Sequence, residues 1–258
     1  MRKVHVIFKG LFCVMMFLNV MNQASYAKAS GPDDDSLGDN VYTNNYFSFH
    51  LLIPDDWYIA DDQTIQSLRQ SAENLTGEKP ETTDYLLLLV SEYPAGTLSD
   101  SNPSILIAAE NLSQFARVNN GQEYLSQLSG ALAKQAPYTI SEVYEYPLDE
   151  IPFYRFDSEV DTEVGKIRQS YIAVASEEYI LSFSLTGKTV EEMSRLESII
   201  VSGNYELMST EVNSSIRKPV SSLQGILALG LMVGGGVLMI LDQWVKRRNA
   251  KKLNSKML

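Results

Sequence analysis

The strongest constraint on the fold lies between residues 138 and 187, where four runs of alternating side chains follow one another with short polar links. These runs read YTISEVYEY, FYRFDSEV, KIRQSYIAVAS and EYILSFSLTG. Alternation of apolar and polar residues is typical of strands that bury one face, and links of hairpin length join antiparallel neighbours. This half of the chain therefore predicts an antiparallel meander.

Earlier segments add strands and a helix. The apolar runs YLLLLV (85–90) and SILIAA (104–109) are bounded by turn residues and predict central strands. A helix is predicted through about Asn74, with Asp61 or Asp62 as its N-cap, because an aspartate side chain accepts hydrogen bonds from the free N–H groups of a first helical turn.

Two more helices are indicated further along the chain. The segment GQEYLSQLSGALAKQ carries apolar residues at helical spacing, and TVEEMSRLESII begins with a capping box of Thr189 and Glu192. The apolar face of this last helix consists of Val190, Met193, Leu196 and Ile199. Strand runs interrupted by three helices predict an α+β fold, in which helices pack against a mainly antiparallel sheet.

The segment YFSFHLLI (46–53) predicts the first strand, with Phe47 and Phe49 on its buried side. His50 falls on the opposite face, and no serine motif or partner carboxylate accompanies it in the sequence. We interpret it as a strand histidine that faces solvent or makes a single hydrogen bond. Pro54 ends the strand, and the residues DDW after it predict a turn.

The N-terminal region indicates export. Residues 1–27 have a cationic head, about a dozen apolar residues and the small-residue pattern SYA, which are the features of a cleaved signal peptide. Residues 28–40 predict a flexible acidic linker, residues 41–205 form one domain, and residues 206–219 are a polar stalk.

The C-terminal region predicts a single transmembrane helix over residues 220–244. Its centre, GILALGLMVGGGVLMIL, has no charge in 17 residues. The tail, residues 245–258, has six cations against two just before the helix, which places the tail in the cytoplasm and the domain outside the cell membrane. Gly230 and Gly234 have the spacing of a helix dimerisation motif and are candidate contacts of a homodimer. Alternatively, the helix and tail are a sorting signal that is cleaved after export.

Charge and cysteine content exclude several classes of partner. Residues 28–216 contain ten basic and 31 acidic residues, a formal charge of −21, so nucleic acid is not an expected partner. Cys13, the only cysteine, lies in the predicted signal peptide, which leaves the exported domain without disulfides. With one histidine and no cysteine in the domain, we expect neither a metal nor another cofactor.

The sequence contains no catalytic motif. It has no G-x-S-x-G elbow and no glycine-rich phosphate loop. The many acidic residues leave open an exported hydrolase that uses paired carboxylates, because separation in sequence does not fix separation in space.

The order of the elements resembles the PsbP-like family of exported proteins. The resemblance rests on the opening pattern N-x-x-F-S-F-x-x-x-I-P-x-x-W, which includes Phe47, Phe49, Pro54 and Trp57, and on a closing pattern. The closing pattern comprises Gln169 to Tyr171, Tyr179 to Gly187 and the helix that follows. The resemblance to this family implies an α/β/α sandwich. It also implies a non-catalytic module that binds a partner protein, or occasionally a metal ion, during assembly or maintenance of a membrane complex.

We expect the contact surface at the acidic turn PDDWYIADD. Its candidate residues are Asp55, Asp56, Trp57, Tyr58, Asp61 and Asp62. Carboxylates beside tryptophan and tyrosine combine charge with side chains that favour interfaces. Other aromatic residues either fill the core or line a groove: Tyr42, Tyr46, Tyr144, Tyr146, Tyr154 and Tyr171. The sequence thus predicts a membrane-anchored, non-catalytic module that binds a partner protein or a small ligand at the outer face of the membrane.

Overall fold

The computed structural model describes residues 31–67, 85–94, 97, 101–115, 118–134, 138–162 and 165–207. The predicted signal peptide, the predicted transmembrane helix with Gly230 and Gly234, the basic tail and most of the predicted stalk lie outside these residues. None of the helices in the described ranges is long and apolar enough to cross a membrane.

The described residues form two antiparallel sheets. Their strands, in chain order, are β1 (Asp35–Gly38), β2 (Val41–Asn44), β3 (Phe49–Leu52), β4 (Tyr58–Ile59), β5 (Tyr85–Ser91), β6 (Ser104–Asn111), β7 (Thr139–Ile140), β8 (Tyr144–Leu148), β9 (Ile151–Thr162), β10 (Gly165–Ser176), β11 (Tyr179–Gly187) and β12 (Asn204–Tyr205). The small sheet has the order β1-β2-β3-β12. The large sheet has the order β4-β5-β6-β11-β10-β9-β7, and β8 also pairs with β9.

The predicted meander is confirmed. β9, β10 and β11 are consecutive neighbours in the large sheet, and β6 follows on the other side of β11. The run predicted as the first strand of the meander divides at residues 141–143 into β7 and β8, which both pair with β9. The two apolar runs predicted as central strands form β5 and β6, both in the interior of the sheet.

Helices and the small sheet cover the two faces of the large sheet. Within the described ranges, the helices are α1 (Gly121–Leu132) and α2 (Val190–Val201), with one 3-10 turn at Leu112–Gln114 and further helical residues at 62–67. The rest of the helix predicted through Asn74 lies outside those ranges. α1 and residues 62–67 pack on one face, whereas α2 and the small sheet pack on the other. The predicted α+β class, with a mainly antiparallel sheet, is therefore confirmed.

Four buried aromatic rings join the two sheets. Phe49 and Tyr205 belong to the small sheet, and Phe153 and Phe183 belong to the large one. Their ring centroids lie 5.6 to 6.1 Å apart. Aromatic pairs at such distances add attraction beyond the burial of apolar area. Phe49 thus occupies the buried side of its strand, as predicted.

α1 begins where its sequence predicts. The Asn120 side chain accepts a hydrogen bond from the Glu123 backbone N–H at 2.8 Å, which caps the first turn. Gly121 allows α1 to lie close to β10, because a Cβ atom there would stand 2.5 Å from the Ala173 carbonyl oxygen. The helix then buries Tyr124, together with leucines at positions 125, 128 and 132.

The capping box predicted for α2 is confirmed. The Thr189 hydroxyl accepts from the Glu192 N–H at 3.1 Å, and the Glu192 carboxylate accepts from the Thr189 N–H at 3.1 Å. The predicted apolar face is partly wrong, because Val190 is 62% exposed. The buried positions are Leu196, Ile199 and Ile200, since the first turn of α2 extends past the edge of the apolar cluster that these residues join.

The N-terminal elements correct two predictions. Residues 35–40, assigned from sequence to a flexible linker, form β1 and a two-residue hairpin turn. Asp39 and Asn40 have φ angles of 48° and 61°, the left-handed geometry of the turn that suits a two-residue hairpin. The strand predicted from residue 46 begins only at Phe49. Phe47 is buried from within the preceding turn, where its N–H donates to the Asn44 side chain at 2.9 Å.

Candidate functional site

The turn after Pro54 lies above a buried tryptophan. The Trp57 backbone N–H donates to the Pro54 carbonyl at 3.0 Å, and Trp57 is only 9% exposed within the main apolar cluster. Asp55 and Asp56 at the tip of the turn are exposed. The Asn40 amide donates to the Asp55 carboxylate at 2.5 Å and fixes it against the first hairpin. Trp57 thus supports the turn from the core and does not belong to its exposed surface.

The remaining predicted contact residues, Tyr58, Asp61 and Asp62, lie in β4 or just after it. Tyr58 is half-buried in this strand, and its hydroxyl lies 3.4 Å from the Thr64 hydroxyl. Asp61 caps residues 62–67 by accepting from the Thr64 N–H at 2.8 Å. This hydrogen bond, followed by one to the Thr64 side chain, lowers the pKa of Asp61. Asp62 is exposed at the start of the helical residues. The turn at Asp55 and Asp56 thus precedes β4, whereas Asp61 and Asp62 follow it at the start of the helical residues.

Residues distant in sequence lie near Asp56, because β4 pairs with the end of β5 and Tyr58 lies opposite Ser91. Arg195 on α2 forms an ion pair with Glu92 at 2.7 Å, and the Tyr93 hydroxyl donates to the same carboxylate at 3.2 Å. The pKa of Tyr93 is raised, first by the charge and hydrogen bond of Glu92 and also by the charge of Asp56. The pKa of Arg195 is also raised, first by its hydrogen bond to Glu92 and further by the charge of Asp56. We call this surface the acidic corner: Asp55, Asp56, Glu92, Tyr93 and Arg195.

The acidic corner is held in place by side-chain hydrogen bonds to the backbone. The Tyr93 N–H donates to the Asn102 side chain at 2.9 Å, and the Asn102 amide donates back to the Tyr93 carbonyl at 2.9 Å. The Ser91 hydroxyl donates to the same carbonyl at 2.7 Å. Tyr93, which is 38% exposed, therefore projects from a braced segment. The local sequence signal for it is its position just after the buried run YLLLLVS.

A second polar cluster centres on Arg155 of β9. Its guanidinium donates to the Asp157 carboxylate at 2.9 Å, to the Glu197 carboxylate at 2.6 Å and to the Ser170 hydroxyl at 3.1 Å. The Arg155 Cζ lies 5.0 Å from the centroid of the Tyr146 ring. The arginine side chain is 11% exposed, against 39% for Asp157 and 37% for Glu197. The cluster connects three strands of the large sheet with α2.

Two tyrosines complete this Arg155 cluster. The Tyr144 hydroxyl donates to Asp157 at 2.9 Å, and the Tyr146 hydroxyl donates to Glu197 at 2.8 Å. Burial raises the pKa of both phenols, to about 12 for Tyr144. Burial lowers the pKa of the Arg155 guanidinium. The charge and hydrogen bond of Asp157 outweigh this effect, so the pKa is raised overall. A hydrolase would need carboxylates that reach a substrate, whereas both carboxylates here bind Arg155.

The remaining sequence candidates do not form one site: His50 lies on the small sheet, and Tyr154 and Tyr171 belong to the apolar cluster under α1. His50 is exposed, and its Nδ1 lies 2.9 Å from the Thr43 hydroxyl, which confirms the interpretation as a strand histidine with one hydrogen bond. Tyr42 and Tyr171 are buried in the core, and Tyr154 is half-buried beside α1. In the described part of the chain, no three histidine, cysteine, aspartate or glutamate side chains are grouped so as to hold a metal ion.

Comparisons with known proteins found similar solved structures at low identity and no family. No protein family model matches the chain, and no curated protein matches it. The chain is similar to the solution structure of cyanobacterial PsbP (CyanoP) from Synechocystis sp. PCC 6803, with 11% identity, a TM-score of 0.39, and coverage of 71% of this chain and 99% of that one. It is also similar to LpqN, described as involved in cell envelope biogenesis of Mycobacterium tuberculosis, with 12% identity, a TM-score of 0.36, and coverage of 61% and 82%.

Proposed function

We propose that this protein is a membrane-anchored, exported PsbP-like module that binds a partner protein at the outer face of the membrane and has no catalytic role. The observation that carries the proposal is the acidic corner. Asp55 and Asp56 are exposed on a turn fixed by Asn40 and supported by Trp57. Exposed carboxylates on a braced turn lose little conformational freedom on binding, which favours recognition.

The charges of the acidic corner favour a basic partner. Arg195 is the single cation of the five residues, and Glu92 already pairs with it at 2.7 Å. Asp55 and Asp56 thus leave the surface with net negative charge, within a segment of formal charge −21 over residues 28–216. Complementary charge accelerates association and orients the partner. Tyr93 adds an aromatic contact of the kind that is enriched at interfaces.

Charge reversal tests the contact. We propose crosslinking the membrane-bound protein in its own cells and identifying the products for wild type, for Asp55→Lys with Asp56→Lys, and for the control Glu150→Lys. Glu150 is an exposed acid on the turn between β8 and β9, away from the acidic corner. We expect the double variant to lose a partner that wild type and control retain. Retention of the same partner by all three proteins would exclude the acidic corner as the contact.

Anchoring by residues 220–244 is the second part of the proposal. The supporting observation is the uncharged run of 17 residues followed by six cations. We expect alkaline carbonate to leave the full chain in the membrane fraction and to release a chain that ends at residue 219. Mature protein that lacks the basic tail would instead support a cleaved sorting signal. Replacing Gly230 and Gly234 with leucine tests the proposed homodimer, because bulky side chains prevent close helix approach.

A further inference from the structure

Three tyrosines meet at the opposite end of β5 from the acidic corner. The ring centroids of Tyr46 and Tyr179 are 5.8 Å apart, with the rings at 89°. Those of Tyr85 and Tyr179 are 6.0 Å apart, with the rings at 70°. Tyr46 and Tyr85 are partly exposed, whereas Tyr179 is 9% exposed. β5 has seven residues and a length of roughly 20 Å, so this group is separate from the acidic corner.

Carboxylates border these rings. Glu177 and Glu178 form the exposed two-residue turn between β10 and β11. The Tyr46 hydroxyl is hydrogen bonded to the Glu177 carboxylate. Burial, followed by this hydrogen bond and the Glu177 charge, raises the pKa of Tyr46. A phenol that donates to a carboxylate is a more electron-rich ring, which strengthens its attraction for a cation above its face.

The backbone at Glu177 is unusual for its residue type. Its φ angle is 52°, in the left-handed region that glycine and asparagine adopt most easily. Another acidic hairpin has the same form, because Asp149 has a φ angle of 50° and precedes the exposed Glu150. The Asp149 carboxylate is used within the fold, where it accepts from the Tyr205 N–H at 2.8 Å. The Glu177 carboxylate is also used within the fold, but its partner is the hydroxyl of a partly exposed tyrosine, Tyr46.

We propose that a cluster of three tyrosines and two glutamates binds a lysine or arginine side chain of a partner protein. The cluster consists of Tyr46, Tyr85, Tyr179, Glu177 and Glu178. A cation within about 6 Å of a tyrosine ring is attracted by the negative face of the ring, and the two carboxylates supply charge complementarity. The acidic balance of the domain draws basic partners to it. This inference rests on the proposed function for the existence of a protein partner, but it concerns a different surface.

The two hairpins provide an internal control. The full-length protein in detergent micelles is mixed with a capped tri-lysine peptide and treated with a carbodiimide, and the coupled carboxylates are identified by mass spectrometry. We expect coupling at Glu177 and Glu178 to exceed that at Asp149 and Glu150 by about two- to fivefold, the range expected for an exposed cation held by an aromatic ring. Equal coupling at the two hairpins would overturn the proposal.

Variants separate ring chemistry from folding. Tyr46→Leu should lower peptide coupling to the level of the control hairpin, whereas Tyr46→Phe keeps the ring and should retain most of the coupling. Glu177→Gly removes the carboxylate and relieves the left-handed backbone, so it should keep the fold and weaken peptide binding measured by calorimetry. Unchanged coupling in Tyr46→Leu, or unchanged peptide affinity in Glu177→Gly, would contradict the proposal.

Competition identifies the kind of cation site. Tetramethylammonium chloride should displace the peptide more effectively than sodium chloride at the same ionic strength, because aromatic rings favour weakly hydrated organic cations. Equal displacement would show a screening effect alone and would overturn the tyrosine contribution. Failure of peptide binding, with the crosslinked partner of the acidic corner retained, would reject this inference and leave the proposed function standing.

Discussion

The guanidinium of Arg155 on β9 lies 2.6 Å from the carboxylate of Glu197 on α2, although 42 residues separate them in the chain. This contact joins α2 to β9 of the large sheet, and Asp157 of β9 and Tyr146 of β8 extend it. An arginine with an 11% exposed side chain needs such partners, because a charge removed from water without a counterion is costly.

Removal of the arginine should destabilise the domain. Arg155→Met keeps much of the side-chain length but leaves Asp157 and Glu197 without their cation. We expect a loss of about 2 kcal/mol in the free energy of unfolding. Urea unfolding measures this loss, with the fluorescence of the buried Trp57 as the signal. The second tryptophan of the chain is replaced, Trp244→Phe, so that Trp57 alone reports.

Lys166→Met is the matched control for Arg155→Met. Lys166 forms an ion pair with Glu159 at 2.7 Å, but the lysine is 42% exposed. Exposed ion pairs contribute less than about 1 kcal/mol. Equal losses for the two variants would show that the Arg155 cluster contributes no more than a surface pair.

Stability should fall at alkaline pH. Burial raises the pKa of Tyr144 to about 12 from an ordinary value of 10.0, and it also raises the pKa of Tyr42, Tyr171 and Tyr205. Below the ordinary value, these phenols are protonated in both the folded and the unfolded chain, so their contribution is fully present. Above it, the unfolded chain releases protons that the folded chain retains, so the free energy of unfolding decreases as the pH rises.

Two measurements check this pH dependence. Urea unfolding at neutral pH and at about pH 11 should show the decrease, and phenolate absorbance should show tyrosines that ionise only on unfolding. Tyr144→Phe should reduce the decrease, because it removes one of the phenols with a raised pKa. A free energy of unfolding that stays constant up to this pH would contradict the raised pKa of these tyrosines.

Local sequence patterns identified most of the fold. The meander follows from alternation, and the α2 capping box follows from Thr189 and Glu192 three residues apart, because both patterns depend on neighbours in sequence. Val190 fits the same helical period but is 62% exposed, since periodicity alone does not tell where the covering layer ends. Asp39 and the pair Asp55 and Asp56 all lie in short polar segments of the sequence. Asp39 belongs to a hairpin turn, however, whereas Asp55 and Asp56 belong to the acidic corner.

The candidate sites depend on tertiary contacts that no spacing reveals. Glu92 and Arg195 are 103 residues apart, and they meet because α2 packs on the face of the sheet beside the end of β5. Tyr46 and Tyr179 meet because the small sheet lies against the large one. The sequence therefore indicated Asp55 and Asp56 as a surface but not the residues around them.

The α2 cap should be a measurable part of the stability. Thr189→Ala removes the hydroxyl that accepts from the Glu192 N–H, and we expect a loss of about 1 kcal/mol. Thr189→Ser keeps the acceptor and should change the free energy of unfolding by a few tenths of a kcal/mol. Chemical denaturation distinguishes the two variants, and equal losses would mean that the methyl group of Thr189, rather than its hydroxyl, stabilises the helix start.

Two glycines of α1 should respond to alanine in opposite directions. Gly130 is exposed, and a Cβ atom there meets nothing within 4 Å, so Gly130→Ala should stabilise the domain by about 0.5–1 kcal/mol through its higher helix propensity. A Cβ atom at Gly121 would stand 2.5 Å from the Ala173 carbonyl oxygen, so Gly121→Ala should force α1 away from β10. We expect that displacement to cost about 1–3 kcal/mol.

Thermal unfolding of these two variants tests how closely α1 packs on the large sheet. A change of 1 kcal/mol shifts the midpoint of a domain of this size by about 2–4 °C, so the shifts for Gly130→Ala and Gly121→Ala should differ in sign. Helix propensity favours alanine at both positions, and a Gly121→Ala protein as stable as Gly130→Ala would mean that α1 can move away from Ala173 without loss. A lower midpoint for Gly121→Ala alone assigns the difference to the backbone contact with β10.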